Sequence, residues 1–320
     1  MATTSKKGSG AVGANRLMTE LRPRVREARN SWRLVRSNYT AMAGLVMVLT
    51  MVTIAILAPV LAPPAPYGNP YSIPKDFYDP KPPGAEGYIF GTGQFGTDIY
   101  YGVIWGARAT LYASLFVVLT SALIGIVLGA VAGYYGGKVD EAIMRVTDVF
   151  LALPALILAI AITSVLAPSL ENIMLALIIV WWPGYARLVR AQVLSIKEST
   201  YVEAARAIGV KKSRILFRHI IPNSLSPMIV SITLDLGAVA LVAAGLSFLG
   251  FGVPTGYAEW GRMVSDGRNW FPPMVVVYQG VLYNPWWVWL IPGMFILIYT
   301  MGFSLIGDAL RDILDPRTRR

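Results

Sequence analysis

Six long apolar runs limit what this chain can fold into. A bilayer core of about 30 Å needs roughly 20 apolar residues in a helix that crosses it. The runs cover approximately residues 41–61, 109–133, 150–166, 172–185, 228–251 and 287–310. Hydrophobic residues make up 55% of the chain and charged residues only 14%, whereas soluble domains are about 25% charged. The sequence therefore predicts an all-α membrane protein with six transmembrane helices.

The fourth run is short and contains Pro183. A proline removes a backbone hydrogen bond and can bend the helix that contains it. Two outcomes stay open at this point. Either the helix kinks at the end of the run, or it continues into the stretch that holds Arg187 and Arg190.

The basic residues predict which side of the membrane each connection faces. Cytoplasmic loops carry an excess of Lys and Arg. With the N-terminus in the cytoplasm, the cytoplasmic segments collect 23 of the 28 Lys and Arg residues. The inverted orientation would place the same residues outside. We therefore expect a multi-pass protein of the cell membrane with both termini in the cytoplasm.

A polar segment between the fourth and fifth runs has the pattern of two short helices. Thr200 and Glu203 have the spacing of a capping box, and Gly209 stands where that helix would end. Ser213 is positioned to cap a second helix, which Pro222 would stop. Helices this short are marginal alone in water, so both are expected to lie against a larger body.

Six sequence blocks resemble those of one family of membrane proteins. The polar segment contains Glu203-Ala204-Ala205, then Gly209, and an apolar-Pro ending at Pro222, which is similar to the EAA loop of ABC importer permeases. The other five blocks cover residues 90–98, 106–108, 182–190, 246–253 and 259–267. In this order they resemble the C-type permease subunit of dipeptide and oligopeptide ABC transporters, from about residue 31 to the C-terminus. The resemblance implies the transmembrane domain of a type I ABC importer.

The resemblance also implies roles for residues of the polar segment. Glu203 would pair with a basic group of an ATPase subunit, or it would only close the capping box. Ala204 and Ala205 would allow close approach of that subunit, Gly209 would permit the turn, and Arg206 would lie at the docking rim. Pro222 would mark the end of this ATPase-coupling segment.

Partners follow from the same resemblance. It implies a second permease subunit in a heterodimer, two ATPase subunits that bind ATP and Mg, and an extracytoplasmic solute-binding protein. No cofactor is expected in this chain. The implied substrates are dipeptides or oligopeptides, with oligosaccharides or nickel as alternatives. The net charge of +10 would suggest nucleic acid in a soluble protein, but here its placement fits a lipid bilayer and no nucleic acid is expected.

The pattern divides the chain into four regions. Residues 1–38 are predicted to be a basic cytoplasmic tail, and residues 39–107 the first transmembrane helix with a long external loop. Residues 108–310 are predicted to form the permease core, including the coupling loop 200–222. Residues 311–320 are predicted to be a basic cytoplasmic tail.

Asp235 is an acidic residue inside the fifth apolar run. Exposing it to lipid would cost about 3 kcal/mol on insertion scales, so it should face protein or a water-filled path. Asp235 is either a pore residue or an interhelical hydrogen-bonding group. A rival hypothesis makes it the coupling carboxylate of an ion-coupled secondary transporter. The external block also departs from the family pattern at Gly93 and Thr97, where the family usually has aspartate and arginine.

Other polar and aromatic residues form two further groups. Lys138, Asp140, Glu141, Arg145 and Asp148 make a second cytoplasmic cluster, which either braces the core, as in the resembled family, or is simply solvated. The external stretch 252–286 is rich in aromatic residues that either present a surface to a partner or ligand, or pack on helix ends. These aromatic residues are Trp260, Trp270, Phe271, Tyr278 and Tyr283.

Catalytic motifs are missing from the sequence. No Gly-x-x-x-x-Gly-Lys-Ser/Thr, Gly-x-Ser-x-Gly or His-Glu-x-x-His pattern occurs. The chain has no cysteine and one histidine, His219, which stands in the polar segment and is expected to be a surface residue. We therefore expect no enzyme activity in this chain, with ATP hydrolysed by separate subunits.

Overall fold

The computed structural model describes residues 36, 38–66, 68–76 and 79–314. Nearly all of the predicted N-terminal tail and the last six residues of the predicted C-terminal tail lie outside these ranges. The described helices, with their bounds, are α1 Tyr39–Leu61, α2 Ile99–Tyr135, α3 Gly137–Leu151, α4 Ala155–Thr163, α5 Leu170–Lys197, α6 Thr200–Ala207, α7 Lys212–Ile215, α8 Ile221–Phe248, α9 Trp260–Asp266 and α10 Trp287–Leu314. One antiparallel hairpin pairs β1 Val276–Tyr278 with β2 Val281–Tyr283.

Five of the described helices are long and apolar enough to cross a membrane, and the bent pair α3 and α4 brings the number to six if it counts as one span. Local sequence explains where three of the long helices begin. The side chains of Asn38, Asp98 and Ser169 each accept a hydrogen bond from a backbone N–H in the first turn of α1, α2 and α5. Such caps satisfy N–H groups that have no partner within the helix.

The third predicted span differs from the expected continuous helix. The chain bends by 85° between α3 and α4, and Pro154 precedes the first residue of α4. Proline disfavours helical geometry in the residue before it and has no N–H to continue the ladder. With nine residues, α4 is only about 14 Å long, so it cannot cross a 30 Å core alone.

The fourth predicted span is longer than its apolar run. Pro183 lies buried within α5, and the helix continues past Arg187 and Arg190 to Lys197. The second of the two outcomes left open by the sequence is therefore the correct one.

Close packing of α2 against α5 forms the centre of the fold. Gly125, Gly129 and Gly133 lie one turn apart on α2, and a Cβ atom at Gly129 would stand 2.3 Å from the carbonyl oxygen of Ala186. A Cβ at Gly125 would stand 2.3 Å from the Cβ of Tyr185. Small residues at these positions let two membrane helices approach backbone to backbone.

The long loop after α1, which the sequence predicts to be external, is held by hydrogen bonds to other parts of the chain. The indole Nε1 of Trp105 donates to the carbonyl oxygen of Ala62 at 2.9 Å, and the backbone N–H of Ile73 donates to Gly256 at 2.9 Å. The hydroxyl of Tyr101 donates to the carbonyl oxygen of Pro70 at 2.8 Å. The bonds from Trp105 and Tyr101 join this loop to α2, and the bond from Ile73 joins it to the stretch 252–286.

Trp260 is a core residue and no part of an exposed aromatic surface. Its side chain is 1% exposed, and its indole Nε1 donates to the carbonyl oxygen of Val103 at 3.0 Å. A Cβ at Gly106 would stand 2.6 Å from the Trp260 ring. Two of the resembled blocks, 106–108 and 259–267, therefore pack on each other. For Trp260, packing on helix ends is the correct alternative. Its large indole ring is buried against α2, where it contributes a large apolar contact area.

Candidate functional site

The first helix of the polar segment begins without the predicted capping box. Helix α6 starts at Thr200, its N-cap is Ser199, and no side chain caps it. The hydroxyl of Ser199 instead donates to the carbonyl oxygen of Ile196 at 2.6 Å. Because Thr200 is already helical, Glu203 cannot be the third residue after an N-cap threonine. The capping-box interpretation of Thr200 and Glu203 is wrong.

The end of α6 agrees with the sequence. Gly209 has φ of +78°, which glycine adopts without the steric cost that other residues incur. The N–H of Gly209 donates to Arg206 at 3.0 Å, and the N–H of Val210 donates to Ala205 at 3.1 Å. This pair of bonds is a Schellman motif, so Gly209 ends the helix as predicted.

The second part of the polar segment is built differently from the prediction. Ser213 lies inside α7, whose N-cap is Lys211, so Ser213 caps nothing. Pro222 does not stop the helix, because α7 passes through a π-helical turn at Leu216–Ile220 directly into α8. A proline ring clashes with the carbonyl four residues earlier in a regular helix. The wider turn, in which the N–H of Ile221 donates to Leu216, lies immediately before the proline.

Four apolar side chains fix this segment to the body of the protein. Val202, Ile215 and Ile220 are fully buried, and Leu216 is 3% exposed. Burying side chains of this size contributes about 1.5–3 kcal/mol each. The amide of Asn223 also donates to the hydroxyl of Tyr201 at 3.3 Å. The segment therefore presents one fixed face outward.

That outward face contains predicted docking residues together with apolar residues that the sequence did not single out. Glu203, Ala204 and Arg206 are exposed, and Ala205 is half-buried. Arg206 also donates to the carbonyl oxygen of Lys197 at 3.2 Å, which ties α6 to the end of α5. Ile208 is 81% exposed and Phe217 is 68% exposed. Both are large apolar side chains exposed on an otherwise basic segment, and such residues are available for protein contact.

The cluster of residues 138–148, which the sequence predicts to be cytoplasmic, has partners in the resembled block 182–190. Asp140 on α3 accepts hydrogen bonds from Arg190 on α5, with Oδ1 2.5 Å from Nε and Oδ2 2.6 Å from Nη2. Asp148 forms an ion pair with Arg187. Both pairs connect α3 to α5. The expectation that the cluster braces the core is correct for Asp140, whose pair is partly buried, whereas the pair of Asp148 with Arg187 is exposed. Among the described residues, Arg145 forms its ion pair with Glu141, at 3.7 Å on the same helix.

Asp235 lines a cavity of about 350 Å³. The cavity is bounded by α8, by one face of α5 and by the break between α3 and α4. Its walls comprise Leu151, Ala155, Val180, Trp181, Gly184, Tyr185, Leu188, Ser231 and Asp235. Among the described residues, no basic side chain forms an ion pair with Asp235. The sequence analysis singled out Asp235 as an acid inside an apolar run but none of the other wall residues, and the i, i+4 spacing of Ser231 and Asp235 is the further sign that it missed.

Two known protein families together match most of the chain. Residues 125–320 match the family described as binding-protein-dependent transport system inner membrane component. Residues 28–83 match the N-terminal TM domain of oligopeptide transport permease C.

Similar proteins extend the match over nearly the full length. The dipeptide transport system permease protein DppC of Alkalihalophilus pseudofirmus is 40% identical over 91% of this chain and 90% of its own length. The oligopeptide transport system permease protein OppC of Bacillus subtilis is 37% identical over 89% of this chain and 88% of its own length. Among solved structures, an inward-facing MetNI methionine ABC transporter is similar with a TM-score of 0.47 and 22% identity, over 67% of this chain and 96% of that chain. This chain therefore belongs to the family of binding-protein-dependent transport system inner membrane components, as an ABC transporter permease of the dipeptide/oligopeptide type.

Proposed function

We propose that this chain is one permease subunit of an ATP-driven importer of dipeptides or oligopeptides, and that residues 199–222 are its docking segment for an ATPase subunit. The observation that carries the docking role is the combination of a buried underside at Val202, Ile215 and Ile220 with exposed Ile208 and Phe217. A segment that only connected two membrane helices would have no need of large exposed apolar side chains on a fixed frame.

Peptides are the proposed substrate because of the relatives. The similar proteins carry names of dipeptide, D,D-dipeptide and oligopeptide transport permeases. Identity of about 40% over nine-tenths of the chain favours a shared substrate class over oligosaccharides or nickel. Family membership likewise disfavours the ion-coupled secondary transporter.

The docking segment is connected to the membrane by a nearly continuous helix. Residues 212–248 run through α7, the π-helical turn and α8 without a loop. Motion imposed on α6 and α7 therefore reaches Asp235 through helical backbone. Such an element can carry a rigid-body shift from an ATPase interface into the translocation path.

The proposal requires partners and one orientation. A second permease subunit completes the path, two ATPase subunits bind ATP and Mg²⁺, and an extracytoplasmic solute-binding protein delivers the peptide. The docking segment and both termini face the cytoplasm. In this scheme Glu203 pairs with a basic group of the ATPase, while Ala204 and Ala205 let that subunit approach closely.

The test uses the assembled transporter with its ATPase subunits, purified from membranes through a tag on this chain. Phe217→Asp and Glu203→Ala are expected to lower ATPase co-purification and peptide uptake by about tenfold, which corresponds to a loss of about 1.4 kcal/mol of contact energy. Glu198→Ala is the matched control, since Glu198 is an exposed glutamate just before α6. It is expected to leave both measurements unchanged.

Two results would contradict the proposal. Co-purification and uptake unchanged in both docking variants would remove the coupling role from this segment. Uptake of nickel or oligosaccharide, with none of peptide, would replace the substrate while leaving the docking role in place.

A further inference from the structure

The cavity beside Asp235 lies deep in the membrane-spanning region. Asp235 stands eight residues beyond Pro227, the first residue of the span Pro227–Phe248, which is about 12 Å along the helix axis. The cavity volume of about 350 Å³ falls within the range of roughly 300–1,000 Å³ typical of small-ligand sites.

The polar and aromatic groups around this cavity are arranged about one carboxylate. Ser231 lies one helical turn before Asp235 on the same face of α8, and both line the cavity. Tyr185 and Trp181, both on α5, line the same cavity as Asp235. Other wall residues are apolar, including Leu188.

Gly184 leaves room at this wall. It lines the cavity between Trp181 and Tyr185, and a Cβ added there would meet nothing within 4 Å. At Gly125 and Gly129, by contrast, a Cβ would stand 2.3 Å from an atom of α5. No described residue therefore occupies the space next to Gly184, which is exposed.

An acidic side chain at this depth requires compensation for its lost hydration. Intramembrane carboxylates are normally paired with a cation, hydrogen-bonded, or exposed to a water-filled cavity. Among the described residues, the acidic partners of the ion pairs are Asp76, Glu86, Asp140, Glu141, Asp148 and Asp266, and none of these ion pairs involves Asp235. The hydroxyl and indole groups beside it supply dipoles and no positive charge.

The geometry points to a binding subsite for the ammonium group of the transported ligand, with Asp235 as its counter-ion and Trp181 as its aromatic wall. An ammonium group is attracted both by a carboxylate and by the face of an indole ring. The assignment rests on the proposed import function, because a peptide carries such a group at its N-terminus. It adds to that function the part of the ligand that this subunit recognises.

The absence of cysteine from the chain makes a direct test practicable. A single Ser231→Cys substitution places the chain's one thiol in the cavity of the detergent-solubilised transporter. Its reaction rate is measured with a cationic aminoethyl methanethiosulfonate and an anionic sulfonatoethyl methanethiosulfonate. The matched control is Ser164→Cys, at an exposed position after α4. Relative to that control, the cationic reagent is expected to react about tenfold faster than the anionic reagent at position 231. A factor of about ten is the lower end of the range by which a charged cleft raises the local concentration of counter-ions.

Two further measurements assign the preference to Asp235 and to the ammonium group. Adding Asp235→Asn to Ser231→Cys is expected to abolish the preference, whereas adding Asp308→Asn, which removes an exposed carboxylate of α10, is expected to preserve it. Dialanine is expected to slow labelling at position 231, and N-acetyl-dialanine, which lacks the ammonium group, is expected to leave it unchanged.

Three results would overturn the subsite. They are equal reaction rates for the two reagents, equal protection by the two dipeptides, and no reaction at position 231 when position 164 does react. Labelling that dialanine does not slow would overturn it as well. Peptide uptake by the unaltered transporter is measured in parallel. If uptake is absent while the cation preference and the protection hold, the proposed import function fails and the subsite stands.

Discussion

Arg190 binds Asp140 through two parallel hydrogen bonds, 2.5 and 2.6 Å long, across 50 residues of sequence. The Arg190 side chain is 32% exposed and that of Asp140 is 17% exposed, so the pair is partly shielded from water. Bidentate Arg–carboxylate pairs are stronger than single contacts. This pair fixes α3 against α5 at the end of the fold that contains the docking segment.

Asp140→Ala is expected to destabilise the protein by about 2 kcal/mol, between the values for exposed and fully buried pairs. Asp148→Ala is the control, since the side chain of Asp148 is 57% exposed and that of its partner Arg187 is 54% exposed. This exposed pair is expected to contribute less than about 1 kcal/mol to stability. Thermal unfolding of the detergent-purified protein measures both. Equal Tm losses in the two variants would contradict the assignment of bracing to Asp140.

Gly129→Val is expected to break the packing of α2 on α5. A Cβ at this position would stand 2.3 Å from a backbone oxygen, which cannot rotate away, so a cost of about 3 kcal/mol is expected. Gly245→Ala, where a Cβ meets nothing within 4 Å, should instead gain about 1 kcal/mol of helix propensity. Folded yield and Tm report the two effects, which have opposite signs.

Trp260→Ala is expected to cost about 3–5 kcal/mol, the range for deleting a buried indole. Trp260→Phe keeps an aromatic ring against Gly106 and loses only the hydrogen bond to Val103, so a smaller loss is expected. Trp286→Ala is the control, because Trp286 is 46% exposed. A Tm loss from Trp286→Ala as large as that from Trp260→Ala would refute the core role of Trp260.

Gly209→Val is expected to loosen the end of α6. The left-handed conformation of Gly209, with φ of +78°, costs a residue with a Cβ about 1–2 kcal/mol. Limited proteolysis should then cut more readily around residues 207–212. Gly293→Ala serves as the control, because Gly293 is inside α10 with open space around it. Unchanged cleavage in Gly209→Val would contradict the importance of the Schellman motif.

Glu259 is expected to make the stability of the second external stretch depend on pH. Burial raises the pKa of Glu259 above its usual range, so the folded chain holds this proton more tightly than the unfolded chain. Its contribution to stability is therefore fully present below the unfolded pKa and is lost as pH rises through the folded pKa. Tm measured from pH 4 upward should fall less steeply in Glu259→Gln than in the unaltered chain. Identical slopes would contradict the raised pKa.

Local sequence patterns determined much of the fold. The length of the apolar runs predicted the long helices, because the bilayer sets one length for all of them. The glycine at position 209 predicted the end of α6, since its backbone conformation is a local property. Six ordered blocks predicted the family, and the comparisons confirm it.

Tertiary packing decided the features that local patterns misassigned. The capping box at Thr200 was wrong because α6 already begins at Thr200 and no side chain caps it. The stop at Pro222 was wrong because a π-helical turn and the burial of Ile215 and Ile220 keep one helix running from α7 into α8. Trp260 looks like an interfacial aromatic residue in the sequence, yet contacts from distant α2 bury it. The cavity around Asp235 exists only because α5, α8 and the bend after α3 meet there. Contacts between residues far apart in sequence leave no mark in local spacing, so only the folded chain could reveal them.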